Sequence, residues 1–582
     1  QGDPIAPLLF CLAAHPIFKT IRDQFNLISA ADLDDFTIAG PSRNVADAIK
    51  WLESSGPPCG LFINKKKTVI WSPSGQDLKT KFTNLDVSED DRVTSISNWN
   101  NYTFSREDGV ELLGSAVSKS AAFITTVVKK RVDKCIESMN RLLELKDPQL
   151  CLILLRSCEG MQKLVYCWRT IPPEFLHECS VTFHEKIKEA LRQIIVGDGP
   201  YFGDFQSKLS SLPVSLGGLG IYSPSQILYV AYPASFLSTL QLQSRILQLS
   251  HVPIQTLIPM SLIDHVHRFA EMIHFQPNDR LQLVNNIIAR GTQPFEEVPL
   301  PLRHLQLYMA RFLFEYERSQ LLLHPYILDK DIETQRRFRI VLNSSIDPGS
   351  YSWLFALPNG GLDQRMTPLE FQAAASYRLL MPQFDINSKC HQNRCKSNMD
   401  IYGYHAYCCT GHLHPRHQLV QNALFHSMSK AGFFPEKDAQ VTCLGHRNGQ
   451  QTAFRPADIL MAGDDFERDC VDVTVVSPIK KRNLYEIVVG KAALDAETRK
   501  YDKHMIPCQN AGFGFKAFAI DVFGVMPMKS KQLIQRIISK LSRDKGYPQY
   551  KATAIVMRRV SIAVQIGVSR NIILCRNVSS DD

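Results

Sequence analysis

The stretch NLISAADLDDFTIAG (residues 26–40) decides the fold of the N-terminal part of the chain. Apolar, strand-prone residues flank Asp34-Asp35 on both sides, which predicts a hairpin whose tight turn holds both carboxylates at its tip. Crowding two like charges is costly unless a cation lies between them, and such carboxylates can hold Mg²⁺ for phosphoryl transfer. A lone Asp-Asp pair is more often a solvated acidic turn, so the surrounding sequence has to decide.

Composition sets only broad limits on function. The chain has 582 residues, enough for three or four domains, with 45% hydrophobic and 21% charged residues. A net charge of +9 suits a polyanionic partner, although many soluble proteins match it. The 15 cysteines are scattered and odd in number, which favours a reducing compartment with free or metal-bound thiols. No apolar run reaches the length of a membrane span, so we expect no membrane association.

Further motifs accompany the acidic hairpin in a set order. QGDPIAPLLF (residues 1–10) precedes it, and GLFINKKKT (residues 60–68) and ELLGSAV (residues 111–117) follow it. In this order and at this spacing, the set resembles the palm of a reverse transcriptase, with its QGxPxSPxLF, YxDD and LxxNxxKC segments and the LG turn of its primer grip. Ala6 replaces the usual Ser, and Asp32 replaces an aromatic residue beside the catalytic pair.

The resemblance assigns roles to these motifs. Asp34 and Asp35 would bind the polymerase Mg²⁺ (or Mn²⁺). The nucleotide site would be supported by Asn64 and Lys67 and lined by Gln1 and Gly2. In the family, a further catalytic aspartate and the fingers lie before the QGxP segment, so we expect this chain to be an N-terminally truncated fragment that lacks both.

Helical patterns follow the palm-like segment. Apolar spacing in residues 121–205 predicts helices with basic faces, which the resemblance makes the thumb; an ordinary helical hairpin fits the pattern equally well. Asp147-Pro148 marks a helix start. Residues 206–380 are predicted as a helical linker. Its GGLG cluster (residues 217–220) lacks the spacing of a phosphate loop and indicates a tight turn before a buried helix.

The segment KCHQNRCKSNMDIYGYHAYCC (residues 389–409) predicts a small zinc-binding module within residues 381–430. A tetrahedral Zn²⁺ site needs four ligands, and Cys390, Cys395, His405 and either Cys408 or Cys409 provide them. The family's H-x3-C spacing favours Cys409, and unliganded buried side chains are the alternative. Arg416-His417 recurs in the family just after this knuckle and is a candidate contact to nucleic acid.

The segment TAFRPADILMAGDDFERDCVDVTVVSP (residues 452–478) carries a second acidic pattern. Asp458 precedes a turn, Asp472 lies in a strand rich in β-branched residues, and a helix with Lys500 follows. Two carboxylates and a lysine suit a metal-dependent phosphodiesterase. The spacing resembles the PD-(D/E)xK nuclease of site-specific non-LTR retrotransposons. Thr474 stands in the usual lysine position. In these nucleases the lysine has usually moved to the following helix, so the resemblance favours Lys500 over Lys503 and Lys491.

Together these features predict an α+β multidomain protein. The expected parts are a partial α/β palm (1–120), thumb (121–205), helical linker (206–380), zinc knuckle (381–430) and an α/β PD-(D/E)xK-like endonuclease (431–582), in which Arg455 contacts nucleic acid. Its basic tail, residues 529–570, should form two amphipathic helices that either follow phosphates or pack on the sheet.

The resemblance implies an RNA-directed DNA polymerase and endonuclease of a non-LTR retrotransposon. It would act in the nucleus on a DNA target and element RNA by target-primed reverse transcription, with Mg²⁺ (or Mn²⁺) and Zn²⁺. The alternative is a decayed or domesticated relative that binds nucleic acid without polymerising. A host scaffold with incidental Asp-Asp and Cys clusters would bind no metal.

Overall fold

The computed structural model of the protein is a mixed α+β structure, about 63% helical. It describes residues 3–74, 77–85, 99–197, 199, 202–249, 251–274, 276–293, 304–385, 388–391, 395, 397–409, 413–447, 450–463, 468–480, 484 and 487–576. The chain divides into two compact units. Unit 1 comprises Gln1–Lys134, Leu164–Phe183 and Pro224–Arg311, and unit 2 comprises Cys135–Lys163, His184–Ser223 and Phe312–Asp582.

The helices and strands are numbered along the chain. The helices are α1 (Ala6–Phe25), α2 (Ser42–Ser55), α3 (Leu78–Leu85), α4 (Ala121–Leu143), α5 (Pro148–Leu154), α6 (Val165–Thr170), α7 (His177–Val196), α8 (Asp204–Ser211), α9 (Pro224–Ile246), α10 (Met260–Met272), α11 (Pro277–Thr292), α12 (Leu305–Leu322), α13 (Pro325–Leu328), α14 (Ile332–Ser344), α15 (Pro348–Tyr351), α16 (Pro368–Arg378), α17 (Tyr404–Cys408), α18 (Leu413–Ala431), α19 (Lys491–Asn510), α20 (Met528–Lys545) and α21 (Gln549–Arg576). The strands are β1 (Ile28–Asp32), β2 (Asp35–Ala39), β3 (Val69–Ile70), β4 (Thr103–Phe104), β5 (Gly109–Leu112), β6 (Ser115–Ser118), β7 (Phe434–Lys437), β8 (Cys443–Arg447), β9 (Gln450–Phe454), β10 (Ile459–Ala462), β11 (Arg468–Val476) and β12 (Gly514–Asp521).

In unit 1 a hydrophobic core joins α1, the acidic hairpin and α2. Ile17 and Ile21 of α1 pack with Leu27 and with Ala48 of α2, and the partly buried side chains of Phe36 and Leu61 join them, among others. The described strands of unit 1 form two-stranded pairs, antiparallel for β1–β2 and β5–β6 and parallel for β3–β4. The core therefore joins α1, the acidic hairpin, α2 and the start of the GLFINKKKT segment.

The LG motif forms the two-residue turn between β5 and β6. Leu113 and Gly114 both have positive φ, 46° and 80°, as the favoured two-residue hairpin turn requires. A Cβ on Gly114 would lie 2.2 Å from a guanidinium nitrogen of Arg131. The motif thus forms a hairpin turn on which a basic side chain of α4 packs.

Helices fill the predicted thumb and linker. Pro148 is the first residue of α5, and the Asp147 carboxylate caps it by accepting a 3.0 Å hydrogen bond from the backbone N–H of Leu150. The GGLG cluster forms a turn before α9, with φ of 95° at Gly217 and 73° at Gly220. These two sequence predictions are confirmed.

Unit 2 contains a mixed sheet with strand order β12-β11-β10-β7. β11 pairs antiparallel with β10 and parallel with β12. Helix α19 provides the crossover between β11 and β12, a connection that a parallel pair requires. Five consecutive residues of β11, from Asp469 to Val473, are buried. This strand therefore forms the buried centre of the sheet.

Helix α21 is long and apolar enough to cross a membrane by length and composition, which the sequence analysis did not recognise. However, 72% of its most apolar window is buried inside the protein. It packs against α16, α18 and α20. A core helix passes the same test, so the helix is weak evidence for membrane association.

Two backbone segments approach each other closely in unit 2. A Cβ on Gly349 would lie 2.1 Å from the carbonyl oxygen of Gly524, and a Cβ on Gly524 would lie 2.4 Å from the carbonyl oxygen of Gly349. Gly524 belongs to a turn in which the Asp521 carboxylate accepts hydrogen bonds from the backbone N–H groups of Phe523 and Val525. Only glycine fits at either position.

Candidate metal centre and acidic sites

The Asp-Asp pair lies at the tip of the predicted hairpin. Asp32 pairs with Asp35 at the ends of β1 and β2, and Leu33 and Asp34 form the turn between them. Leu33 has a φ of 55°, and both Asp34 and Asp35 are exposed. The next side chain, Phe36, stacks on Phe18 of α1 with ring centroids 4.1 Å apart. Because strand side chains alternate in direction, this packing turns Asp35 away from the core.

The other predicted palm residues are less constrained. Asn64 and Lys67 are exposed and form one turn, in which the backbone N–H of Lys67 donates to the Asn64 backbone carbonyl at 3.0 Å. Gln1 and Gly2 lie outside the described residues. The turn holds the backbone of Asn64 and Lys67 together, and both side chains are exposed.

The predicted zinc ligands form a compact group. The ligand atoms of Cys390, Cys395, His405 and Cys409 all lie within 4.8 Å of one another. Cys390 and Cys409 are buried, with their sulfurs 4.0 Å apart. The Cys395 sulfur lies 3.2 Å from Nε2 of His405. This Cys3His cluster could hold a zinc-type metal ion.

The structure separates the two candidate fourth ligands. Cys409 belongs to the cluster, whereas the Cys408 thiol lies 3.4 Å from the Ser477 hydroxyl. Gly403 takes a left-handed conformation, φ 73°, immediately before α17, as the turn into His405 requires. The spacing argument thus selected the cysteine that the fold brings to the cluster.

Local hydrogen bonds and burial position the ligand residues and favour the protonation states that a metal ion binds. The Asp400 carboxylate accepts hydrogen bonds from the backbone N–H groups of Tyr402, Tyr404 and His405, which fixes the start of α17. Burial lowers the pKa of His405, so the neutral imidazole that a metal needs is favoured. Ser397, through its hydroxyl and its backbone, lowers the pKa of the Cys395 thiol and favours the thiolate.

Arg416 requires a correction. The sequence analysis made it a contact to nucleic acid, but its side chain is buried, with only 2% of the residue exposed. Its guanidinium donates to the backbone carbonyl of Tyr407 at 3.2 Å, and burial lowers its pKa to about 10. A guanidinium in this position cannot reach a phosphate, so Arg416 supports the fold around α17 and α18.

The structure brings Asp458, Asp472 and Lys500 together. Asp458 directly precedes β10, and the register of β10 on β11 places it opposite Asp472, where the two carboxylates interact. The Lys500 amine, on α19, donates to both carboxylate oxygens of Asp472 at 2.8 Å. One oxygen of Asp458 accepts a 2.7 Å hydrogen bond from the backbone N–H of Val473.

The two carboxylates differ in their electrostatic environment. Burial, together with the neighbouring Asp458 and against the pull of Lys500, raises the pKa of Asp472 to about 6. Asp458 is also desolvated, but contact with His417 and the charge of Lys500 hold its pKa below the usual value. The side chains of Asp458 and His417 are 28% and 29% exposed, so solvent reaches the pair from their side.

Two histidines flank the pair. Nε2 of His417, from α18, and Nε2 of His504, from α19, each lie 3.6 Å from a carboxylate oxygen, of Asp458 and Asp472 respectively. His417 was predicted only as a contact to nucleic acid, and His504 was missed. Its position four residues after Lys500 was a usable signal, because residues at i and i+4 share a helix face.

Gln421 of α18 is a second residue that the sequence analysis missed. Its amide donates to the Asp438 carboxylate and to the backbone carbonyl of Asp458, both at 2.8 Å. Only 2% of the residue is exposed. These two hydrogen bonds therefore hold the backbone at Asp458 in place, and they form only in the folded chain.

The remaining predicted residues of this region have simpler placements. Arg455 is exposed, beside the end of β9. The Lys503 amine lies over the Phe454 ring, 5.0 Å from its centroid, and Lys491 is the first residue of α19. Of the three candidate lysines, Lys500 is the one with a hydrogen bond to Asp472.

Known proteins do not assign this chain to a family. No protein-family model and no curated protein matches it. Function is therefore inferred from the geometry of these sites and from the motifs that the sequence carries.

Proposed function

We propose that Asp458, Asp472 and Lys500 form a Mg²⁺-dependent endonuclease site that cuts DNA. The observation that carries this proposal is the pairing of Asp458, just before β10, with Asp472 of β11, together with the Lys500 amine that is hydrogen-bonded to Asp472. Structural ion pairs seldom place two like charges side by side in a buried setting, because the repulsion is costly. A divalent cation relieves it.

The donor set fits a hard cation. Carboxylate oxygens are the ligands that Mg²⁺ and Mn²⁺ prefer, and Asp458 and Asp472 offer them. When bound, the ion polarises the phosphodiester and lowers the pKa of a bound water. Imidazole is a less suitable ligand for Mg²⁺, so we assign His417 and His504 to positioning the carboxylates.

The side chains have separate tasks in this proposal. Lys500 orients Asp472 by donating to both of its oxygens, and its charge can stabilise a phosphate that approaches from the exposed side. The Val473 backbone N–H orients Asp458. Lys500 is 32% exposed at its side chain, so it can contact both Asp472 and a bound nucleic acid.

A second activity, RNA-directed DNA polymerisation, is favoured by one observation. The hairpin that holds Asp34 and Asp35 at its exposed tip packs through Phe36 on Phe18 of α1, the helix that contains residues 6–10 of the first palm-like motif. With the endonuclease, it would support target-primed reverse transcription in the nucleus, in which a DNA nick primes synthesis on element RNA. The alternative remains a relative that binds nucleic acid without polymerising.

The Cys3His cluster supports binding of Zn²⁺ in particular. Three thiolates and an imidazole are a usual ligand set for structural zinc. Among the described residues of the segment that contains the ligands, α17 is the one helix, so a bound ion would stabilise this segment.

A nicking assay on supercoiled plasmid tests the endonuclease. With Mg²⁺ or Mn²⁺, Asp458→Ala and Asp472→Ala should each lower the nicking rate about 100-fold or more. Lys500→Met should also lower it. Asp495→Ala, which removes an exposed carboxylate on the same helix as Lys500, should leave the rate unchanged. Equal rates in wild type and the Asp458 and Asp472 variants would contradict the proposal.

A further inference from the structure

A fifth sulfur lies beside the Cys3His cluster. Cys575, near the end of α21, is 1% exposed, and its sulfur lies 3.7 Å from the sulfur of Cys390. It comes from a part of the chain 185 residues away from Cys390. Cys575 is not part of the sequence motif that contains the four predicted ligands. The fold brings it to the cluster.

The end of α21 is fixed at this place. The guanidinium of Arg576 donates to the backbone carbonyl of Gln383 at 2.8 Å and to its side-chain oxygen at 2.6 Å. The backbone N–H of Gln383 in turn donates to the Ile401 carbonyl, within the loop between Cys395 and His405. Cys575 is therefore held against the cluster by its neighbour in the chain and by the loop that carries the ligands.

The sulfur spacing matches that of a metal thiolate centre. A tetrahedral ion with metal–sulfur bonds of about 2.3 Å holds two sulfurs about 3.8 Å apart. Cys390 has two neighbours near this spacing, Cys575 at 3.7 Å and Cys409 at 4.0 Å. Cys395, in contrast, is partly exposed, so of the cluster's thiols it is the one most accessible to competitors.

We propose that Cys575 is a reserve ligand of the metal centre, which takes the place of Cys395 when that thiolate leaves the ion. One metal–sulfur bond breaks and one forms, Cys575 gives up its thiol proton, and Cys395 takes a proton from solvent. The charge of the centre is unchanged. The inference depends on the proposed metal binding of the Cys3His cluster and adds the C-terminal helix to its ligand set.

Cobalt(II) provides the probe, because its absorption reports the number of cobalt–sulfur bonds. The full chain would be loaded with Co²⁺ as wild type, Cys395→Ser, Cys575→Ser and the double variant. Wild type and both single variants should show the charge-transfer intensity of three cobalt–sulfur bonds. The double variant should lose about a third of it and bind Co²⁺ at least about tenfold more weakly than Cys395→Ser.

Cys408→Ser is the matched control, because Cys408 is adjacent in sequence but lies outside the cluster; it should match wild type. Equal intensity and affinity in Cys395→Ser and in the double variant would overturn the role of Cys575 alone. Absence of Co²⁺ binding in wild type would instead overturn the metal centre. Cys575→Ala replaces Cys575→Ser if the serine variant loses its helical circular dichroism.

Discussion

At the scale of single residues, Asp521 of unit 2 is a buried carboxylate whose protonation affects stability. It is fully buried at the end of β12, and one of its oxygens has no hydrogen-bond partner among the described residues. Burial, with a smaller contribution from the nearby Asp347 and against the turn's hydrogen bonds, raises its pKa to about 7. The folded state therefore holds a proton that the unfolded chain releases near pH 4.

This difference predicts a pH-dependent stability. Between about pH 4 and pH 7 the folded state binds more protons than the unfolded state, so the free energy of unfolding falls as the pH rises. Asp521→Asn cannot ionise, so its slope should be shallower than that of wild type, and the raised pKa of Asp472 accounts for a slope that remains. At pH 8 it should be more stable than wild type by about 1–3 kcal/mol, measured by urea denaturation from pH 5 to 8.

Asp502→Asn, which changes an exposed carboxylate of α19, should keep the slope of wild type. An unchanged slope in Asp521→Asn would contradict the assignment.

Single residues could be predicted where they belong to a recognisable sequence pattern. The resemblance selected Cys409 by its H-x3-C spacing and Lys500 by its lysine on the following helix, and the fold brings both to the expected groups. Gln421 and Cys575 were missed because their partners lie on other elements, so no local pattern exposes them. Arg416 was predicted from its recurrence in the family's motif, which contains no information about the burial of its side chain.

At the scale of elements, strands and helices followed from local chemistry. The β-branched run around Asp472 became the buried strand β11, and the apolar flanks of Asp34 became β1 and β2. The basic tail was ambiguous in sequence. Lys531 and Arg536 of α20 pair with Asp347 and Asp469 at 2.9 and 3.0 Å, which favours the interpretation of a helix packed on the sheet.

The cap of α5 gives a prediction at this scale. Asp147→Ala removes the side-chain acceptor of the Leu150 N–H and should lower the free energy of unfolding by about 1 kcal/mol. Asp133→Ala, an exposed carboxylate inside α4, should change it by less than about 0.5 kcal/mol. Chemical denaturation followed by circular dichroism measures both, and an equal loss in the two variants would argue against capping.

At the scale of the whole molecule, the linear order of motifs did not reveal how the chain is grouped. The Cys3His cluster and the proposed nuclease site lie in unit 2 together with two earlier stretches, Cys135–Lys163 and His184–Ser223. The hydrogen bonds from Gln149 to the backbone carbonyls of Ala356 and Gln364 join the first of these stretches to a later part of the chain. Local periodicity contains no information about such pairings.

Metal removal tests the molecule as a whole. An ion that binds only the folded state stabilises it by about 3–4 kcal/mol at 100 to 1,000 times its Kd. We expect a chelator to lower the Tm, and added Zn²⁺ to restore it. Cys390→Ser should have a low Tm that Zn²⁺ does not raise, whereas Cys408→Ser should respond as wild type. A chelator without effect on wild-type Tm would mean that no such ion contributes to stability.

The close approach of Gly349 and Gly524 limits the substitutions that this sequence can accumulate. Each position forbids a side chain because of the other's backbone, so neither can be relieved by a single compensating substitution. Gly360, with open space around its Cβ direction and an ordinary φ, is free to vary. Related sequences should therefore vary at Gly360 but keep glycine at both Gly349 and Gly524.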